Sequence, residues 1–488
     1  MTALRGRIVT AAARSKAVGR LSVVLTAWLA GSFVYWVWGP GLPTNDASGQ
    51  LNQYLTGYYT DWQSPVLSVI WGWWFSLLGY PRGPFLFDLS LMLIAIGFWV
   101  ALLPVGWPWR CAAFLFVVLW PSTLLQLANV VRDVPFSGVS LLSIALVTHA
   151  RRRSLGLRWP WVVASLLCFL AVVSFRQEGV ISVLPACAGL VTLFPSRWSP
   201  RRFVSRRRLY RVAGLGLTAC IFAGALFGIS SLLEYDALGA QTRGPYQYMM
   251  LWDLSSLSAS SGRILVPRPF QEDVTLAFLR KYSLDMTGDY LFWPAEDQRP
   301  DSDQMVLFRY DARDLSVLRS DWLHAVVDHP VAYLRHRLAV AASTTSFLHP
   351  PPWPLVPALN VGTTPAYLCV ADLHVTCGTL TSPGARWLEA RGSLDKNWVI
   401  FREWPYTAVS LAILVISVWR RKGRSLLAML LAASGVLEVA AFVFAGTGYA
   451  YRYTEWPMLA AVTAAVTYVS VQATSSSRRR LAPETERS

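Results

Sequence analysis

The sequence predicts an all-α polytopic membrane protein of about ten transmembrane helices, on three observations. Of its 488 residues, 54% are hydrophobic and only 15% are charged, where soluble domains carry about 25%. Apolar runs recur along the whole chain, most of them near the ~20 residues that a spanning helix needs. The basic residues behind the net charge of +16 stand in short clusters between these runs, as positive-inside signals do. That placement argues against nucleic acid as a partner, and no nucleic-acid module is recognisable.

The runs, in order, are 21–39, 64–80, 85–104, 111–131, 134–149, 159–175, 178–194, 212–233, 404–419, 425–446 and 457–473. The first follows the basic stretch Met1 to Arg20 with no small-residue cleavage site, so it reads as an uncleaved helix. If all the runs cross, the N-terminal arginines and Arg151-Arg152-Arg153 fall on opposite sides. Removing 64–80 resolves the conflict. This run begins Ser64-Pro65 and carries Trp71, Trp73 and Trp74. Tryptophan is enriched at the membrane–water boundary, so the run is expected to lie on the surface as an interfacial helix. Ten spans remain, with both termini cytoplasmic. The cytoplasmic segments then hold 25 of the 44 basic residues, with Glu484 and Glu486 as their only acids.

Four regions follow: a transmembrane module over 1–233, an external segment of mixed helix and loop over 234–403, a second transmembrane module over 404–473, and a disordered cytoplasmic tail over 474–488. Within the external segment, Asp321 to Leu338 has helical spacing, with a break or kink at Pro330. Cys111, Cys168, Cys187 and Cys220 lie in apolar runs and read as small core residues. Cys369 and Cys377 share an external loop where both a disulfide and two free thiols are compatible with the compartment. No Cys or His cluster suggests a metal site.

Three short polar motifs fall on the external side of this topology. They are Thr44 to Gln50 with Asp46 at its centre, Arg132-Asp133, and Arg176-Gln177-Glu178. Carboxylates at the ends of spanning helices are costly and are functional candidates by default. A late external loop adds Arg452-Tyr453 shortly before Pro457.

The order of these parts resembles the GT-C superfamily of integral-membrane glycosyltransferases, and within it the protein O-mannosyltransferase and aminoarabinose-transferase-like group. The likeness covers roughly 21–195, and 404–473 by topology and Arg452-Tyr453. It implies a bacterial-type plasma membrane enzyme that takes a sugar from a polyprenyl-phosphate carrier and attaches it to a glycan, lipid or protein acceptor on the outer face. Asp46 matches the first-loop acid, as acceptor base or orienting group, and Asp133 the acid of the second external loop, with Arg132 as its preceding basic residue. Asp61-Trp62-Gln63-Ser64-Pro65 resembles the Asp-Trp-His-Pro signature. Gln63 stands where the family has His and Ser64 is inserted, a departure that weakens any metal or acid–base role there. Arg452 matches the arginine expected to hold the carrier phosphate.

The residue types suit that chemistry. A carboxylate can deprotonate or orient a hydroxyl, and arginine's planar fork pairs with phosphate oxygens. The catalytic candidates are Asp46 and Asp133; the substrate-binding candidates are Arg132, Arg176, Glu178, Arg452, Gln50, Asp61 and Gln63. No certain cofactor is expected beyond the polyprenyl-phosphate sugar as donor substrate, and a divalent metal is possible but unsupported. Each residue also has a structural reading. Asp46 could cap a loop helix, Arg132-Asp133 could close a turn, Arg176 could pair with Glu178, Asp61 could be an N-cap, and Arg452 could snorkel. Gln50 and Gln53 could line a helix face or be solvated. Asp88 and Glu438 within apolar runs, and Gln247 and Asp253 in the external segment, fit a structural hydrogen bond as well as a site role. A flippase or transporter, or a polysaccharide polymerase or ligase, would share many of these features. The paired halves of many transporters are absent from the sequence.

Overall fold

A computed structural model describes residues 2–154, 156–193, 206–283, 289–292, 304–347, 382–384, 386, 398–420, 425–446 and 451–480; residues 2–16, 43, 45, 206–212, 289–290, 445, 451–452 and 477–480 are described by their backbone alone. The Cys369–Cys377 question, the tail beyond 480 and much of 348–397 lie outside the described residues.

The chain is an α-helical polytopic membrane protein. Among the described residues, six helices are long and apolar enough to cross a membrane and five shorter ones are apolar. The first is α1 (Thr2–Trp38), followed by α2 (Asn45–Thr56), α3 (Pro65–Leu78) and α4 (Arg82–Ala101). Next come α5 (Trp107–Val118), α6 (Pro121–Gln126), α7 (Asp133–Arg151), α8 (Trp159–Phe175), α9 (Gly179–Ser182), α10 (Leu184–Val191) and α11 (Arg206–Ser231). The last three apolar helices are Trp404–Trp419, Leu426–Ala445 and Glu455–Arg480. α7 is the centre: it packs on α4 and α8 and also meets the Leu426–Ala445 and Glu455–Arg480 helices. Its side chains are buried along nearly its whole length.

Two expected runs are broken. The run 111–131 is two helices, because Pro121 lacks an N–H and its ring excludes the α-helical continuation; Trp120 before it is extended, at φ −58° and ψ 128°. The run 178–194 is α9 and α10, with Pro185 in the first turn of α10.

The bundle has two chemically different ends. At one, arginines close helix C-termini, where unpaired carbonyls and the negative end of the dipole favour cations. Arg110 donates to the Leu103 carbonyl at 2.8 Å, Arg152 to that of Leu102 at 2.9 Å and Arg158 to that of Leu193 at 2.7 Å. At the other end lie the turns after α1 and α8 and the start of α7. Both ends of α3 are fastened here. Ser64 at its start donates to the Ser174 carbonyl at 2.6 Å, and Tyr80 just beyond its end meets Ser48 at 3.3 Å. At 14 residues α3 is shorter than the roughly 17–25 that a spanning helix takes.

Residues 246–340 form a second core around Trp252, Phe270, Leu279 and Leu318. It is built on α12 (Tyr246–Ser261), α13 (Leu276–Tyr282), α14 (Asp289–Phe292), α15 (Ala312–Asp328) and α16 (Pro330–Thr344). A two-residue antiparallel pair joins Gln271–Glu272 to Met305–Val306. The expected break falls where it should, with α15 ending at Asp328 and α16 starting at Pro330. Asp253 is the hub. It accepts from Arg337 at 2.6 Å, faces His336 at 3.2 Å and accepts from Trp322 at 2.8 Å. Arg337 also donates to the Gly446 carbonyl at 2.9 Å, tying this core to the membrane bundle. Gln247 is likewise internal, donating to the Arg243 carbonyl at 2.7 Å and accepting from the Arg309 amide at 3.0 Å.

Candidate functional site

The first polar motif is held by backbone. Thr44 caps α2, accepting from the Ala47 amide at 3.3 Å. Its hydroxyl also donates to the Val130 carbonyl at 2.8 Å. Leu42–Pro43 pairs in parallel with Asn129–Val130. This ladder of two residues a side brings the Asp46 motif beside Arg132-Asp133 although 87 positions separate the two acids in sequence. α2 is clamped in turn on α3 at Gly72, where any Cβ would lie 2.1 Å from the Tyr54 ring.

Asp46 sits in the first turn of α2, partly exposed, and accepts from Gln63 Nε2 at 3.3 Å. A carboxylate in the first turn is favoured by the helix dipole. Gln50, one turn on, is fully buried, and neither end of its amide has a hydrogen-bond partner among the described residues. Such a group costs free energy unless a ligand or water satisfies it. Gln53 is spoken for: it donates to Thr60 Oγ1 at 3.0 Å and accepts from Ser68 at 3.3 Å.

The second group surrounds Arg176. Its guanidinium is 2.6 Å from Asp133, 3.8 Å from Glu178 and 4.0 Å from Glu438. Rings of Phe136, Phe442 and Tyr453 stand 5.2–5.3 Å from its Cζ. Gly179 permits the approach, since a Cβ there would meet Phe136 and the Val172 carbonyl at 2.8 Å. Burial works against the Arg176 charge, but Asp133, Glu178, Glu438 and Tyr453 outweigh it and hold its pKa above the ordinary arginine value. For Glu178, burial pushes upward and the charges of Arg176 and Arg132 prevail, so its pKa is lowered. Arg176, a substrate-binding candidate by sequence, gives Nη1 to Asp133, while its Nε has no hydrogen-bond partner among the described residues. Among the described residues, Asp133 Oδ2 has no hydrogen-bond partner and neither does the buried Arg132 Nε.

Asp61 is a clamp. It accepts from Tyr235 at 3.0 Å and from the Arg243 amide at 2.5 Å, while burial raises its pKa. The side chain of Arg452 lies outside the described residues; Tyr453 beside it supplies a wall of the Arg176 cage.

Two acids of this region were not singled out from the sequence. Glu455 opens the last helix, is buried, and has Asp133 and Asp88 as electrostatic neighbours. The signal was available: an acid three residues after Arg452 at the start of an apolar run. Asp88 itself accepts from Trp71 Nε1 at 2.9 Å, and its Oδ2 has no partner among the described residues. Glu403, before the Trp404–Trp419 helix, shares a cavity of about 10 Å³ with Thr344, Thr345, Phe442 and Tyr453, room for one water molecule. Among the described residues no group of three or more His, Cys, Asp or Glu is placed to hold a metal.

Burial pushes the Glu403 pKa up to about 7, with Thr407 donating to its carboxylate in opposition. A raised folded-state pKa means stability that is complete below the unfolded value and is lost as pH rises through the folded one. The thermal midpoint should therefore fall from pH 5 to pH 8, and Glu403→Gln should flatten that fall. Unfolding curves of the purified protein across this range check it; equal slopes in the two proteins would remove Glu403 as the cause.

Fold and site thus define a polytopic helical membrane protein with a cluster of carboxylates and arginines at one end of its bundle. No known family profile matches the sequence, and neither does any curated protein. Among solved structures, ArnT from Cupriavidus metallidurans bound to undecaprenyl phosphate aligns over 95% of this chain and 79% of its own, at 13% identity and a TM-score of 0.31. At that score nothing transfers from that protein to this chain.

Proposed function

We propose that this protein is a glycosyltransferase that moves a sugar from a polyprenyl-phosphate carrier to an acceptor on the outer face of the membrane. The observation that carries the reading is the Leu42–Pro43 to Asn129–Val130 ladder, which sets two carboxylate motifs side by side at the arginine-poor end of the bundle. That end is taken as external because the opposite one holds Arg110, Arg152 and Arg158, in keeping with positive-inside charge.

In this reading Asp46, oriented by Gln63, accepts the proton of the acceptor hydroxyl as the sugar's anomeric carbon passes to that oxygen. The bond from that carbon to the carrier phosphate breaks, and the electron pair leaves with the phosphate. Asp133, locked by Arg176, helps to orient the acceptor. Arg132 and Arg452 supply positive charge to the departing phosphate, as charge-assisted forks suit phosphate oxygens. The Trp-rich α3 is both an anchor and a wall for the polyprenyl chain.

The test is turnover of polyprenyl-phosphate sugars by the purified protein in nanodiscs, following free polyprenyl phosphate and glycoside together. Both should rise in step. Movement of the carrier across the bilayer with no glycosidic product would replace this reading by a flippase.

A further inference from the structure

A strip of aromatic and arginine side chains leads away from Asp46 over the second core. It begins at Gln63, which contacts Asp46. Next to it, Trp62 packs edge-on against Phe308 at 4.9 Å. Beyond Phe308, Tyr310 and Tyr58, each 46% exposed, stand on either side of Arg243. The Arg243 Cζ is 4.3 Å from the Tyr310 ring centroid and 5.7 Å from that of Tyr58, whose hydroxyl accepts from Arg243 at 2.7 Å. Arg319 lies over Tyr246 at 4.5 Å and donates to its hydroxyl. Arg309, exposed, uses only Nε, on the Pro269 carbonyl at 2.7 Å.

Among the described residues none of these three arginines is in an ion pair. Two carboxylates of this region accept from backbone amides. Asp311 caps α15 through the Arg313 and Asp314 amides, and Asp61 is buried under the Arg243 backbone. Two of these guanidinium groups thus lie over tyrosine rings and the third is exposed, beside the half-exposed rings of Tyr58 and Tyr310. Flat guanidinium forks match carboxylate or phosphate bidentately, and amphipathic rings at low entropy cost suit the apolar faces of sugars. From Asp46 to the end of α2 at Thr56, two residues before Tyr58, the helix spans about 15 Å at 1.5 Å per residue, enough for several sugar rings.

We propose that this strip is the acceptor subsite, and that the acceptor is an anionic glycan bearing carboxylate or phosphate groups. The inference deepens the glycosyltransferase reading and rests on it for the word acceptor, but the binding itself needs no donor. Full-length protein in phosphatidylcholine nanodiscs would be titrated with tetragalacturonate and with maltotetraose. The acidic oligosaccharide is expected to bind at least tenfold more tightly, with affinity falling as salt rises from 50 to 300 mM. The triple substitution R243Q/R309Q/R319Q should abolish that margin, while the three Arg→Lys changes should keep only part of it. Equal binding of the two oligosaccharides, or a margin that survives the triple substitution, would overturn the proposal. If the triple variant does not fold, R309Q alone, at an exposed position, should reduce the margin severalfold; an undiminished margin there overturns it too. Repeating the titration in nanodiscs with phosphatidylglycerol separates the sources of anion: loss of tetragalacturonate binding there would assign the forks to lipid headgroups and refute the glycan. Transfer failing while the margin persists would count against the glycosyltransferase reading alone.

Discussion

Arg176→Met should lower the stability of the protein by about 3–5 kcal/mol, the cost of removing one partner from a buried ion pair. The size follows from the company Arg176 keeps. Asp133 at 2.6 Å is buried, Glu438 at 4.0 Å is buried, and Glu178 completes the set. Without the guanidinium, these carboxylates are left with Arg132 as the cation near Glu178. Three rings would also lose the group they enclose. Thermal unfolding in a fixed detergent reads the effect. A second substitution, Asp133→Asn, should restore a measurable part in the double variant, because the two residues share one interaction and their effects do not add. An unchanged melting temperature in Arg176→Met would mean that the cage does not hold the fold together.

Asp46→Asn should behave in the opposite way. Asp46 is partly exposed, and the amide oxygen of asparagine can still accept from Gln63 Nε2. Stability should stay within experimental error. Turnover of the lipid-linked donor should drop about 10²–10⁴-fold, the usual contribution of a general base. A fully active Asp46→Asn would remove Asp46 from the mechanism and leave Asp133 to be tested next. The two substitutions together separate a residue that builds the site from one that works in it.

Much of the fold was legible because membrane helices announce themselves by length and charge. The decision to lay 64–80 on the surface came from arginine placement, and the fastening of both ends of α3 to Ser174 and Ser48 agrees with it. The breaks at Pro121 and near Pro185 were less legible: apolar composition continues through a proline, and only the backbone registers the missing donor. Within the site, the sequence named Asp46, Asp133, Arg132, Arg176 and Glu178, but it could not say which carboxylates would face which arginine. Arg176 suits phosphate by residue type, and only the structure shows that one arm of its fork rests on Asp133, with Glu178 and Glu438 close by. Gln50 is a substrate-binding candidate by sequence, but its buried amide without a partner among the described residues is a tertiary fact. Glu455 is ambiguous in sequence, since an acid at the head of an apolar run also suits a helix N-terminus.

The cage around Arg176 has a consequence in time. Asp133 and Arg176 are 43 positions apart, so they leave the ribosome within about 2–9 s of each other, at roughly 5–20 residues per second. Glu438, Phe442, Tyr453 and Glu455 follow only after the whole second core has been made, roughly 13–56 s after Arg176 at the same rate. Through that interval the nascent chain must keep the Asp133–Arg176 pair without its final shell. The early partner is close in sequence and the late ones are distant, an order that lets each charge meet a counter-charge before it is buried for good.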